Sequence, residues 1–408
     1  MTLPYNAPPW IEAVERGLIQ GDPAYYYNGL ATDEEMFHAL IVALLAVDGD
    51  WPPPLVPPPP VVPPVEPPIE PPQGDIVYPP GNHGDIIITD SDVTITAEPG
   101  ATFGVVTLRN VDSVVLDGLV CSGAITGERT SVSTNVTVRN CQASGVHIRA
   151  GRGVPPPDGW LVERNDLSGG WACVAVSSGG DGYPYISNTR IQFNRLSSPG
   201  QDAIRASYYD GLVVLGNEIF DVIEDGSHND GIQGVWGGNN LTFAHNFFHD
   251  NNCQPFFLKD GYYDGVELYE NLSIRNRVGS ASVGSKVYAV RDFNMYRNTF
   301  WDDSTFYLRD AQLSRGPLEN LSMRNNAIQN FGTLDTSTYF GLLDERDNVF
   351  GGGWTWVPDS MGPGSIQDSN PVFVDWQIPG AGITWSPDGR KYGLALEDSS
   401  DAGWWLGV

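Results

Sequence analysis

Residues 213–217 read Val-Val-Leu-Gly-Asn217, and the phrase returns 29 residues later as Thr-Phe-Ala-His-Asn246 and 25 after that as Glu-Leu-Tyr-Glu-Asn271. Toward the N-terminus it stands as Val-Thr-Val-Arg-Asn140, Leu-Val-Glu-Arg-Asn165 and Arg-Ile-Gln-Phe-Asn194. Toward the C-terminus it stands as Asn-Met-Tyr-Arg-Asn298, Ser-Met-Arg-Asn-Asn326 and Asp-Glu-Arg-Asp-Asn348, and Gly118 takes the Asn place in Val-Val-Leu-Asp-Gly118. The intervals run from 22 to 29 residues, with a mean of about 26. Alternating apolar residues closed by a turn residue at such a period mark short strands in coils that stack on one another. Each strand is too short, and too polar on one face, to be a sheet by itself. Its inward residues can be buried only by the coils above and below. An Asn at a tight corner tolerates the left-handed backbone, and its amide can bond the Asn of the next coil, which predicts a ladder. A WD40-type propeller needs a period near 40, and leucine-rich repeats need Leu at fixed offsets. Neither pattern is present.

The repeat occupies residues 74–350 of a 408-residue chain. On its C-terminal side, residues 351–408 carry Trp354, Trp356, Trp376, Trp385, Trp404 and Trp405, an expected cap for one open end of the stack. Residues 74–100 are expected to cap the other. Residues 52–72 hold 13 prolines and predict a polyproline II linker over 52–73, extended at ~3.1 Å per residue. Residues 1–51 contain the one convincing helix signal. Thr32 and Glu35 form a capping box, and Met36 to Val47 is apolar on nearly every side. Such a helix has no wet face, which points to an attachment or oligomerisation region; packing on Tyr25-Tyr26-Tyr27 is the alternative.

Acidic residues number 50 against 22 basic ones, for a formal charge of −28. Long-range repulsion excludes nucleic acids and anionic membranes as partners. The four cysteines, Cys121, Cys141, Cys173 and Cys253, show no metal spacing and are expected to be buried thiols. No basic, apolar leader is evident, and the longest apolar run has 12 residues, so neither a signal peptide nor membrane insertion is expected.

The stacked-coil pattern resembles the right-handed parallel β-helix of pectate-lyase-like proteins. The resemblance implies an all-β solenoid of roughly ten coils with a rise of ~4.8 Å each. The whole-chain plan of attachment region, stiff spacer and β-helix resembles a bacteriophage tailspike or tail fibre. That resemblance implies a homotrimer on the virion tail, made in the host cytoplasm. It would meet host-surface polysaccharide through the β-helix and other tail proteins through residues 1–51.

In a β-helix, residues one period apart become vertical neighbours ~5 Å apart. Phrases half a coil past each Asn, such as Val-His147-Ile-Arg149, Asp202-Ala-Ile-Arg205 and Asp230-Gly-Ile-Gln233, place Arg149, Arg205, Gln233, Lys259, Arg291 and Arg309 near one column. Asp202, Asp230, Asp260, Asp292 and Asp310 stand beside it. The column is either a groove for a carboxylated or sulfated glycan or a ladder of weak surface ion pairs. Asp202 and Asp230, 28 residues apart, should stack as a carboxylate pair able to divide acid and base roles. Asn229-Asp230-Gly-Ile is similar to the Asn-x-Asp-Gly-Ile phrase of polygalacturonases; the Gly-His-Gly and Arg-Ile-Lys phrases of that family have no counterpart here. For a lyase, Lys259 or Arg291 would be the base, and Asp230 with Asp260 would hold Ca²⁺. His228 and His245 are further proton-transfer candidates, and His228 stands in the same loop phrase as Asp230. Trp236, Tyr208 and Tyr262 are candidates for stacking on sugar rings. The near-copies Tyr208-Tyr209-Asp210-Gly and Tyr262-Tyr263-Asp264-Gly lie 54 residues, or two coils, apart.

The function expected is binding, with or without depolymerisation, of host-surface polysaccharide. The alternatives are a stand-alone polysaccharide hydrolase or lyase and a non-catalytic structural or receptor-binding fibre. No cofactor is required by this reading, with Ca²⁺ the one ion the acidic residues could take.

Overall fold

The computed structural model describes residues 74–178, 184–223, 229–259, 261–274 and most of 286–350, with short strands at Ile366–Gln367, Phe373–Val374 and Ala395–Leu396. The expected N-terminal helix, the polyproline linker and the tryptophans of the C-terminal cap lie outside the described residues. Among the described residues there is no helix, and the fold is all-β.

Each coil contributes to three parallel stacks. The first runs through Gly145–Arg149, Val174–Ser177 and the front halves of Ile204–Leu215 and Asp230–Ala244 to Gln254–Lys259 and beyond. The second runs through Ser133–Arg139, Leu161–Glu163, Ile186–Gln192, the rear halves of the same two long strands, Tyr263–Tyr269 and Val290–Tyr296. The third is a ten-stranded parallel sheet from Gln142–Ala143 to Ile366–Gln367. This is the expected parallel solenoid. One expectation changes at its start: Asp75–Tyr78 and Val93–Ala97 pair in parallel with each other and with the strand that follows. Residues 74–100 are therefore the opening coil and not a separate cap. Their alternation of Val93 and Ile95 already carries the core pattern.

The core is built from vertical columns. Leu116, Val138, Val162, Ile191, Val214, Phe243, Leu268, Met295 and Met323 share one register position through nine coils. All are buried. Each such side chain contributes about 1.5–3 kcal/mol relative to exposure. The four cysteines are buried free thiols. Burial pushes Cys121, Cys141 and Cys173 up to about 12, so they are unreactive.

The Asn ladder is present and fully bonded. Asn194 donates its main-chain N–H and its Nδ2 to Asn217 Oδ1 at 3.0 and 2.9 Å. Asn217 does the same toward Asn246, and Asn246 toward Asn271. The run begins at Asn165 and continues through Asn298 and Asn326 to Asn348. Each Nδ2 also reaches a carbonyl of the preceding coil, as Asn246 does at Val214 O. Two details differ from the sequence reading. The left-handed residue at each corner is the one before the Asn: Arg164, Phe193, Gly216, His245, Glu270, Arg297 and Asn325. Asn140 holds that left-handed position (φ 53), and Cys141 takes the ladder place, donating its N–H to Asn165 Oδ1 at 2.9 Å. Gly118 (φ 73) is likewise the left-handed residue of its coil.

A second left-handed column was not anticipated. Ser113, Asn135, Gly159, Asn188, Gly211, Asn240, Gly265, Asp292 and Asn320 turn the chain between the first and second stacks, with φ from 48 to 77. Its asparagines brace the exposed corner, Asn240 donating to Asp210 Oδ1 at 2.8 Å.

The two columns differ in burial, which sets the size of a mutational effect. Asn246→Ala strands two buried donors of Asn217 and is expected to destabilise the solenoid by about 2–4 kcal/mol. Asn240→Gly, on the exposed column, keeps the left-handed corner and loses only the bond to Asp210, so it should cost less than about 1 kcal/mol. Chemical unfolding midpoints of the two variants measure the difference, and equal losses would contradict the ladder's assigned role.

Candidate functional site

Where the chain bends into the first stack, two consecutive coils bring in Asp202 and Asp230. Ile204 pairs with Ile232 and Arg205 with Gln233, so the two carboxylates stand one coil apart, as the 28-residue spacing predicts. The Asp230 N–H donates to Asp202 Oδ1 at 3.0 Å. Arg205 Nη1 donates to Asp202 Oδ2 at 2.9 Å and to Gln233 Oε1 at 2.7 Å. Gln233 Nε2 donates to Asp230 Oδ2 at 2.5 Å. The four side chains form one network across two coils. Asp202, Asp230 and Gln233 are buried, whereas the Arg205 side chain keeps 26% exposure. Burial, together with the negative charge of Asp230, pushes Asp202 up to about 7, against the opposing pull of Arg205.

Residues that no motif marked surround this network. The exposed Trp171 lies under the Arg205 guanidinium, 5.4 Å from ring centre to Cζ. Its edge meets His147. Arg149 Nη2 donates to His147 Nδ1 at 3.0 Å, and a guanidinium can only donate. His147 Nδ1 therefore carries the lone pair, and Nε2, 3.3 Å from Ala172 O, carries the proton. Burial and the Arg149 charge hold this imidazole below its ordinary range, hence neutral. His147 and Trp171 are legible only once the first stack is aligned.

Three positions beyond Arg205 and Gln233 on the same strands stand Tyr208 and Trp236, ~10 Å further along at the usual strand rise. Both have left-handed backbones, with φ of 49 and 65. The register slips between Ser207 and Tyr209, so that Trp236 and Gly237 together face Tyr208. This bulge turns both rings outward, where they stack with centroids 6.2 Å apart. Tyr185, another residue the motifs missed, meets Tyr208 edge to face at 5.8 Å. Tyr262 holds the equivalent place one coil on, its carbonyl accepting the Gly238 N–H. Tyr185, Trp236 and Tyr262 are exposed. In the two near-copied phrases the second tyrosines, Tyr209 and Tyr263, are core residues. A side chain at Gly238 would strike the Tyr209 ring at 2.4 Å, so the glycine there makes room for it.

The single cationic column does not form. Arg205 and Gln233 share a column with His147, Ala175 and Phe257. Arg149 and Lys259 share a different one, separated by Ser177, Ser207 and Val235. Lys259 Nζ lies over the Phe257 ring at 5.3 Å. Arg291 belongs to the second stack, in register with Asp264 and Glu319. It is held by both carboxylate oxygens of Asp264, which keeps it charged. It is thus neither beside Asp230 nor a base. Asp292 is a left-handed corner residue that accepts from Asn320 at 2.8 Å. His245 is a corner residue as well, 3.1 Å from Glu270. Asp230 pairs in register with Gln254 and not with a carboxylate of the following coil. His228, Asp260, Arg309 and Asp310 lie outside the described residues. Among the described residues, no three His, Cys, Asp or Glu side chains converge as a metal site.

A family model described as "Right handed beta helix region" matches residues 123–300. Among solved structures, the chain is similar to the alginate lyase AlyF-OU02, at 13% identity and a TM-score of 0.50, covering 80% of this chain and 86% of that one. It is also similar to PfbA, a surface adhesin of Streptococcus pneumoniae, at 10% identity and a TM-score of 0.46, covering 71% and 82%. No curated protein sequence matches the chain significantly. The family match and the three parallel stacks define the fold, a right-handed parallel β-helix, and leave the chemistry to the residues.

Asp202 offers a direct test through pH. Its folded value lies above the ~3.9 of an unfolded aspartate. Its contribution is therefore fully present below about pH 4 and is lost as pH rises through about 7. Asn at this position stays neutral throughout. Relative to the parent, Asp202→Asn should gain thermal midpoint between about pH 5 and about pH 8. A difference that is flat across that range would mean that Asp202 is ionised throughout.

Proposed function

We propose that the β-helix is the polysaccharide-binding rod of a tailspike-like protein. The observation that carries this is the pair of left-handed aromatics, Tyr208 and Trp236, turned outward in consecutive coils beside the Trp171–Arg205 cluster. A bulky residue in the left-handed region costs on the order of 1–2 kcal/mol. Two in succession, in solvent contact, serve no packing need of the core. Flat rings spaced along a rod suit the apolar faces of successive sugars, and Gln233 and Arg205 supply directional polar contacts nearby.

The sequence plan of residues 1–73 supports the virion assignment: the capping box and apolar run to Val47 read as an attachment segment, and the 13 prolines of 52–72 read as a spacer. On this reading the protein is a homotrimer that joins other tail proteins through residues 1–51 and is made in the host cytoplasm. Its partner outside the virion is host-surface polysaccharide. Light scattering of the full chain tests the trimer, and a monomer at micromolar concentration would count against the tailspike assignment.

Hydrolysis is a second reading, favoured by the raised Asp202 beside Asp230. It requires the Arg205 guanidinium, which bonds Asp202, and the Gln233 amide, which bonds Asp230, to move aside, whereas binding does not. Reducing-end release that vanishes in both Asp202→Asn and Asp230→Asn, with the rod still folded, would establish it.

Trp236→Gly separates binding from architecture. Glycine accepts φ of 65 without strain, so the thermal midpoint should hold or rise. Glycan affinity should fall about tenfold for the lost ring. Retained affinity, measured by affinity electrophoresis, would remove Trp236 from the binding surface.

A further inference from the structure

We infer that the glycan taken by this surface is uncharged, an inference that rests on the polysaccharide reading above and narrows it. Between Trp171 and Asn239, the stretch that supplies the aromatic cluster, eight acidic residues stand against three arginines. Each arginine has its charge or its donors engaged within the protein. Arg195 bonds Glu218 at 2.8 Å on the third stack, Arg205 bonds Asp202 and Gln233, and Arg190 bonds Gln192 Oε1 at 3.0 Å. Two coils beyond Asn239, Arg291 is held by both oxygens of Asp264.

An anionic polysaccharide carries a charge every one or two sugars, ~5–10 Å apart, and needs cations at that spacing to displace its counterions. The first stack's other cations with described side chains, Arg149 and Lys259, stand four coils, ~19 Å, apart, too far for that spacing, and beside the aromatic rings the described surface offers carboxylates instead. Asp210 and Asp264 follow Tyr208 and Tyr262 by two residues in both copied phrases, partly exposed beside the aromatic column. An anionic unit brought beside Asp210 would lose about an order of magnitude in affinity, and one beside Asp264, whose charge is already paired with Arg291, would lose less. For an uncharged sugar the same groups are assets. Carboxylates accept hydrogen bonds from ring hydroxyls, and the tyrosine and tryptophan faces take the C–H surfaces. The net charge of −28 adds a long-range field that rejects polyanions and leaves neutral polymers unaffected. An uncharged sugar also lacks the C5 carboxylate that makes the neighbouring proton acidic, so β-elimination is closed to it.

The full chain, printed against an array of bacterial-surface polysaccharides that includes neutral, uronate-bearing and sulfated members, tests this at about 0.02 and about 0.5 M NaCl. The expected result is retention by neutral polymers, with affinity changing less than about twofold between the two salt conditions. Tyr208→Ala and Trp236→Gly should weaken it about tenfold each, and Arg291→Gln should leave it unchanged. Retention by an anionic polymer that drops tenfold or more at high salt would overturn the inference and keep the carbohydrate reading. Retention by no polysaccharide at all, from a chain whose thermal transition is intact, would overturn both.

Discussion

A side-chain amide oxygen that accepts two N–H groups from the coil beneath it fixes the vertical register of this protein. Asn217 Oδ1 takes both the main-chain and the side-chain donors of Asn194. Only a carboxamide has the acceptor and the donor needed to repeat that contact upward. The ladder is buried, so each missing rung would leave polar groups in an apolar corner. A shift of one residue would break every rung and turn each inward Val or Leu to solvent at the same time. The buried column from Leu116 to Met323 and the stacked pair Asp202 and Asp230 are both consequences of that constraint.

A fixed register also makes local strain affordable. Left-handed tyrosine and tryptophan would relax in a free loop. Here Tyr208 and Trp236 sit inside long strands whose halves are pinned by parallel neighbours on both sides. The bulge therefore persists, and it changes which way the rings face without changing the register beyond it: Tyr209 and Gly238 resume pairing at once. Gly238 accommodates the Tyr209 ring inside, while the rings on either side of the bulge stay outside. Core and surface aromatics thus alternate within one short phrase.

The fold was legible because its signal is a chemical requirement repeated on every coil. Buried corner asparagines and alternating apolar residues cannot be traded for other types without loss. The second left-handed column escaped notice because glycine, asparagine, aspartate and serine all satisfy it, so no single letter recurs. Of the candidate site, the Asp202–Asp230 pair was legible from its 28-residue spacing and like sequence context. Trp171, His147 and Tyr185 were not, since they belong to columns whose other members are ordinary residues. Arg291 was misplaced for a specific reason. The segment between Asn271 and Arg291 varies in length from coil to coil, whereas the seven residues from Arg291 to Asn298 are fixed.

That counting rule explains where function resides in the coil. From the second left-handed column to the ladder position is six residues in each described coil from Asn135–Cys141 to Asn320–Asn326, as in Gly211 to Asn217, Asn240 to Asn246, Gly265 to Asn271 and Asp292 to Asn298. From the ladder Asn to the outward column of the first stack the distance varies, from 6 residues at Asn326–Gly332 to 16 at Asn217–Gln233. The constant segment holds the register, because a coil one residue longer there would miss its rung. The variable segment carries no such restriction, and it brings in Trp171, Asp202 and Asp230. Loops free to change length on a rigid scaffold are where recognition concentrates. In this molecule the division is set by one amide contact, which allows insertion on one side of the corner and forbids it on the other.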